Sequence, residues 1–249
     1  MQEQKGMMRL DTHTHSNGIS RCSHVTYAEL VVRKKEQGYD GIILTNHCNA
    51  WYYQPSDHLT YVKQVLSEYT SAKLFAQPRG LKVLLGLEVT LTQPFYADWL
   101  LFGLTDKLLE KSPCFHTLTQ QQLFEYCQEK GLVLVQAHPY RQQPGEAAYM
   151  HGVEINCSHG DLERTQDVLE HAKANGLIVT CGTDFHGLNP VFGGTYAPSA
   201  VETAADFAEY LKSAKETKLF LEEENLNIFI PEEFRQKISK KVKKERKKS

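Results

Sequence analysis

Five of the chain's eleven histidines fall where apolar runs end. Asp11-Thr12-His13-Thr14-His15 closes the first such run, and the two-residue period of a strand puts Asp11, His13 and His15 on one face. Imidazoles at that spacing can reach one ion or two neighbouring ions. His47 closes a second run after Ile42-Ile43-Leu44-Thr45-Asn46, and Glu88 a third after Val83-Leu84-Leu85-Gly86-Leu87. His138 closes the run begun by Leu132-Val133-Leu134-Val135, and Asp184-Phe185-His186 closes the last. One histidine after an apolar run is more often a half-buried core residue than a ligand, but five such coincidences point the other way. Imidazole and carboxylate donors without a C-x-x-C pair suit Zn²⁺, Mn²⁺ or Fe²⁺ better than Ca²⁺ or Mg²⁺, which prefer oxygen-only shells. With this many ligands a multinuclear centre is expected. A carboxylate such as Glu88 can bridge two cations and offset their repulsion, while the cations lower the pKa of a shared water and generate hydroxide near neutral pH.

These residues need a scaffold that gathers strand ends. Hydrophobic periodicity predicts strands at 7–13, 41–47, 82–91, 98–104, 132–138, 152–157 and 177–184, with amphipathic helices at 27–37, 57–75, 119–130, 162–175 and 204–215. Gly38, Gly131 and Gly176 stand just before the next strand, where a helix takes a left-handed cap. The repeating rhythm of helix, glycine and strand predicts parallel strands in a barrel or closed sheet. In such folds the carboxyl ends of the strands form the active face, so donors far apart in sequence should converge. The segment 140–150, rich in Gln, Pro and Gly, reads as a loop on that face.

A chain of 249 residues, 41% hydrophobic and 23% charged, fits one soluble globular domain. No stretch approaches a membrane span, and the first nine residues carry no apolar run like that of a secretory signal, which predicts a cytoplasmic location. The six cysteines are then expected to be reduced. The net charge of −2 hides an asymmetry: positions 232–249 hold nine Lys or Arg against three Glu, leaving the rest of the chain at −8. A basic tail can meet nucleic acid or an anionic surface, but no aromatics are interleaved to stack on bases. A solvated, frayed terminus is the simpler expectation.

The motifs, taken together and in order, resemble the polymerase and histidinol phosphatase superfamily, or PHP domain. They are D-x-H-x-H at Asp11 to His15, Thr45-Asn46-His47, Gly86-Leu87-Glu88, Ala137-His138-Pro139-Tyr140-Arg141, Gly152 to Cys157, and Gly182-Thr183-Asp184-Phe185-His186. The resemblance runs from about position 10 to about position 187. It implies a distorted (β/α)7 barrel over residues 1–230, followed by a basic tail over 231–249. It also implies two or three divalent transition-metal ions that serve hydrolysis of a phosphate monoester or small phosphodiester.

Carried over position by position, His13, His15, Glu88 and Asp184 look like ligands of a first ion, and Glu88 bridges to a second held by His138. His47 and His186 look like ligands of a third, with His24 assigned to its remaining position and Cys22 as competitor. Glu88, Asp184 and Arg141 are the expected catalytic set, Arg141 as a bidentate phosphate clamp. Arg21 is a weaker candidate for the same task. The chain departs from the family at Leu104, where many members end a strand with a ligating histidine, and at Asn46, where Asp is common. His58, His116, His151, His159 and His171 match no motif and are read as bystanders. Histidinol-phosphate phosphatase, a non-catalytic regulatory domain and a nucleic-acid-associated nuclease are the alternatives. The expected partner is a small phosphorylated substrate, with nucleic acid through the tail as the lesser expectation and no membrane.

Overall fold

A computed structural model describes residues 6–158, 161–188, 191–221 and 224–229. The first half of the chain forms β1 (Met7–Thr14), α1 (Tyr27–Glu36), β2 (Gly41–Leu44), β3 (His47–Cys48), α2 (His58–Ala76), β4 (Lys82–Leu91) and β5 (Ala97–Phe102). There follow α3 (Asp106–Glu110), α4 (Gln120–Lys130), β6 (Val133–Gln136), β7 (Gly152–Asn156), α5 (Thr165–Asn175) and β8 (Ile178–Gly182). The chain then adds β9 (Gly193–Pro198), α6 (Ala204–Ser213), β10 (Glu216–Leu221) and β11 (Glu224–Phe229). Local chemistry sets the helix ends. Thr26 with Glu29, Thr119 with Gln122 and Thr203 with Asp206 each form a reciprocal capping box. Gly131 and Gly176 close α4 and α5 in the left-handed conformation.

The strands pair in the order β11-β10-β9-β1-β2-β4-β5-β6-β7-β8, with β3 beside β4. The sheet then curls back on itself. Thr14 bridges Phe185 in parallel sense, the Thr12 hydroxyl donates to the Cys181 carbonyl at 2.8 Å, and Asp11 accepts from the Thr183 amide at 3.0 Å. A Cβ on Gly182 would lie 2.5 Å from the His13 Cβ, so glycine is what lets β8 come this close to β1. Seven strands thus form a nearly closed barrel, and β9, β10 and β11 extend it as an antiparallel flap from β1.

Asp11 is the latch of this closure. It lies wholly buried, and the equally buried Lys34 of α1 reaches it at 2.7 Å while also donating to Thr183. An ion pair removed from water is tolerated only when its remaining donors and acceptors are met, and here they are. The interior is apolar below the site: Leu10, Ile43, Leu84, Leu100, Phe102 and Val135 pack with Phe207 and Leu211 of α6. Because Phe207 meets Phe102 at 5.4 Å, and Phe102 pairs with Val133 at the start of β6, α6 plugs the amino-terminal end of the barrel. A larger cluster packs the outer helices against the sheet.

Two expectations are corrected. β5 runs antiparallel to both β4 and β6, because the five residues 92–96 that join it to β4 are too few for a parallel crossover, which needs about a dozen. The strand pairs β9–β10 and β10–β11 were not anticipated from periodicity. The basic tail at 231–249 and His159 lie outside the described residues.

Candidate metal centre

Among the described residues, eight donors meet at the end of the barrel opposite α6. They form three overlapping groups whose ligand atoms lie within 4.8 Å of one another: His13, His15, Glu88 and Asp184; Glu88, Asp98 and His138; and His15, His47 and His186. Glu88 belongs to two groups, as does His15. Seven of the eight donors are residues expected from the sequence. The eighth, Asp98, was not; it reaches the centre because β5 is reversed, so that its amino end, not its carboxyl end, faces the site. Leu104, just beyond the other end of β5, is buried among apolar side chains and faces no ligand group.

Hydrogen bonds behind the rings decide which nitrogen faces the centre. His13 Nδ1 lies 2.9 Å from Glu154 Oε1, and a carboxylate only accepts, so Nδ1 carries the proton and Nε2 keeps its lone pair. The Ser20 hydroxyl gives its proton to Asn46 Oδ1 at 2.9 Å, so His15 Nδ1, 3.1 Å away, must donate to Ser20, and again Nε2 is left free. His186 Nδ1 donates to the Asp184 carbonyl at 2.8 Å. Glu154 also accepts from the His138 amide and from Asn156. It sits in the quoted motif Gly152 to Cys157, but sequence reasoning gave it no role. Asn46 accepts from the Ser16 amide as well and so supports the ring of His15.

The forward-facing atoms meet acceptors. His13 Nε2 lies 3.3 Å from Glu88 and 3.4 Å from Asp184; His15 Nε2 lies 3.4 Å and 3.2 Å from the same two residues. Both nitrogens, with His47 Nδ1 and Glu88 Oε2, are buried without a hydrogen-bond partner. Lone pairs facing lone pairs in a buried site repel unless a cation is shared between them.

Protons answer this only in part. Burial lowers the pKa of His13, but Glu154, Glu88 and Asp184 outweigh it and hold the ring well above the usual range. His15 goes the other way: burial, then the charges of His186 and His47, push it well down, and these rings stack at 4.3 Å and 4.4 Å. Glu88 and Asp184 are held well below the usual carboxylate range, against the effect of burial, by His13 together with His47 and His15 respectively. Raised imidazoles beside lowered carboxylates mark a site that favours positive charge, which divalent cations would supply by displacing protons.

His138 and Asp184 adopt φ of 28° and 50°, a region costly for any residue with a Cβ. Both leave strand ends at the site, so the backbone is bent where the donors are presented.

The remaining expected residues are less central. Arg141 stands at the rim, where Nη1 meets Asp184 Oδ2 at 2.7 Å, Nε meets Asp161 at 2.8 Å and Nη2 meets Ser158 at 2.7 Å. His24 is exposed and belongs to none of the three groups. Cys22 Sγ instead lies 3.2 Å from His186 Nε2, and His186 and His47 hold its thiol down to about 5 against the effect of burial. Arg21 covers the ring of Tyr52 at 5.6 Å. Among the bystanders, His151 is buried and accepts from the Leu134 amide, and His58 contacts the Ser112 carbonyl. Neither joins a ligand group.

No family model matches the chain, and no curated protein matches it. Solved structures do. PsfC from Pseudomonas syringae superposes with a TM-score of 0.62 at 18% identity, over 98% of this chain and 99% of that one. A two-domain protein from Bacteroides vulgatus, described as containing a PHP-like metal-dependent phosphoesterase, gives 0.57 at 16% identity over 86% of this chain and 65% of that one. A protein from Bifidobacterium adolescentis, described as a metal-dependent phosphoesterase, gives 0.52 at 13% identity over 92% and 94%. At these identities the likeness is one of fold: the chain has the distorted barrel of PHP-like proteins.

Proposed function

We propose that this protein is a PHP-type phosphoesterase that hydrolyses a phosphate monoester or small phosphodiester with two or three divalent transition-metal ions. The observation that carries this reading is the convergence of His13 and His15 on the carboxylates of Glu88 and Asp184, far apart in sequence, with His13 Nε2, His15 Nε2 and Glu88 Oε2 buried without hydrogen-bond partners. His13, His15, Glu88 and Asp184 would hold a first ion, and Glu88, Asp98 and His138 a second. His47 and His186 would hold a third with His15 beside them. Mn²⁺, Zn²⁺ and Fe²⁺ suit this donor set. When bound, such ions activate water near neutral pH and offset charge on the phosphoryl oxygens.

The chain's own residues do the rest. Glu154, Ser20 and the Asp184 carbonyl fix the three rings so that no reorientation is needed when substrate arrives. Arg141 steadies Asp184 through Nη1 at the rim, where its guanidinium would meet a phosphoryl oxygen by exchanging a contact with Asp161 or Ser158. A missing ligand at Leu104 would favour a non-catalytic domain; Asp98 beside Glu88 and His138 offers a further donor there and supports the catalytic reading.

The test is metal analysis of the gently purified protein, followed by phosphate release from a panel of phosphorylated metabolites with Mn²⁺ and with chelator. One or more equivalents of transition metal and chelator-sensitive release are expected. Less than one equivalent, with no release from any ester, would overturn the reading.

A further inference from the structure

Two loops beside the centre carry aromatic side chains. Tyr96 immediately precedes β5 and lies two residues before Asp98, so its loop leaves the strand end that carries this ligand-group residue. From the loop after β3, Trp51 meets Tyr96 with ring centroids 5.8 Å apart, and its neighbour Tyr52 stands edge-on to His47 at 5.8 Å. Trp51 is 63% exposed and Tyr96 40%.

The loop is held in place. The buried Asn49 side chain accepts from the amides of both Trp51 and Tyr52 at 3.1 Å, and Gln54 donates to the Ala50 carbonyl at 2.9 Å. A large apolar ring kept in water beside a polar mouth, on a backbone fixed beforehand, is suited to a ligand with a flat face of its own. Arg141 meets Asp184 and Arg21 lies over Tyr52, which leaves the pair of rings to the uncharged half of an ester.

We propose that Trp51 and Tyr96 form a stacking platform for a planar aromatic or heteroaromatic ring in the alcohol half of the phosphoester. This rests on the phosphoesterase reading and names a substrate class within it. Aliphatic phosphoesters of similar size would bind the same centre without that contact.

Adenosine 5′-monophosphate and ribose 5-phosphate present the same phosphoester on a primary alcohol and differ in the ring. For the Mn²⁺-loaded protein, kcat/KM is expected to favour the nucleotide by about 5- to 150-fold, the range of one base stacked on an aromatic side chain. In Trp51→Ala and in Tyr96→Ala the ratio between the two esters falls towards one. Leu59→Ala, an exposed change on α2, leaves the ratio as it was.

A second readout needs no turnover. The chain has two tryptophans, and Trp99 is buried, so fluorescence quenching by the nucleotide reports Trp51 and is lost in Trp51→Phe. Equal efficiency for the two esters in the unaltered protein, with phosphate released from both, overturns the platform and leaves the phosphoesterase reading intact. Quenching without release of phosphate from either ester supports the platform and counts against the phosphoesterase. Neither quenching nor release counts against both.

Discussion

Glu88 stands between two ligand groups with both carboxylate oxygens engaged: Oε1 faces His13 and His138, Oε2 faces His15 and His47. Glu88→Gln keeps the shape but removes the charge and turns half of the group into a donor. We expect metal content to drop and kcat to fall about a thousandfold in a folded protein. His58→Ala, outside the groups, should leave both unchanged. Normal metal content in Glu88→Gln would show that the residue does not bridge. The third group offers a sharper contrast, because the sequence named His24 and the geometry brings Cys22 to His186. His24→Ala should leave the metal count unaltered, while Cys22→Ala should weaken retention of one ion, read by stoichiometry after dialysis. The opposite pattern would restore His24 to the site.

At the scale of elements, the reversed strand β5 has the largest functional consequence. A histidine at 104 would add a ligand only if β5 ran parallel to its neighbours, and it does not. Leu104→His should therefore gain no metal. It should instead destabilise the fold by about 2 to 4 kcal/mol, as a polar ring replaces an apolar side chain in the core. Asp98→Asn should do the reverse, weakening the ion near His138 while changing the melting temperature little. Denaturation and metal analysis on both variants decide between these outcomes. Extra metal in Leu104→His would mean that position 104 reaches the centre. The reversal was readable in advance: only six residues separate the apolar runs at 82–91 and 98–104, and they include Pro94. Loop length was the missed signal.

For the whole molecule, the centre couples pH to stability. Glu88 and Asp184 have folded pKa values below their unfolded ones, so their contribution is present above about pH 4.5 and is lost as pH falls through the depressed values. His13, His47 and His138 are raised, His47 to about 10, so theirs is full below about pH 6.5 and is lost as pH rises through the folded values. His15 is lowered and opposes them in acid. Chelated protein should therefore melt highest between about pH 4.5 and 6.5, and the increment from added Mn²⁺ should grow from pH 5 to 8 as ions replace protons. A flat profile for the chelated protein in a thermal scan would contradict the coupling. The sequence by itself determined the donor types, their places at the ends of apolar runs and the alternation of strand and helix, because periodicity and capping act over a few residues. Only the tertiary structure decided that Asp98 joins the centre and Leu104 does not, that Glu154 and Ser20 fix the imidazole tautomers, and that Trp51 meets Tyr96. Each of these depends on which strands lie side by side and in which sense, and pairing between distant strands leaves no local trace in the chain.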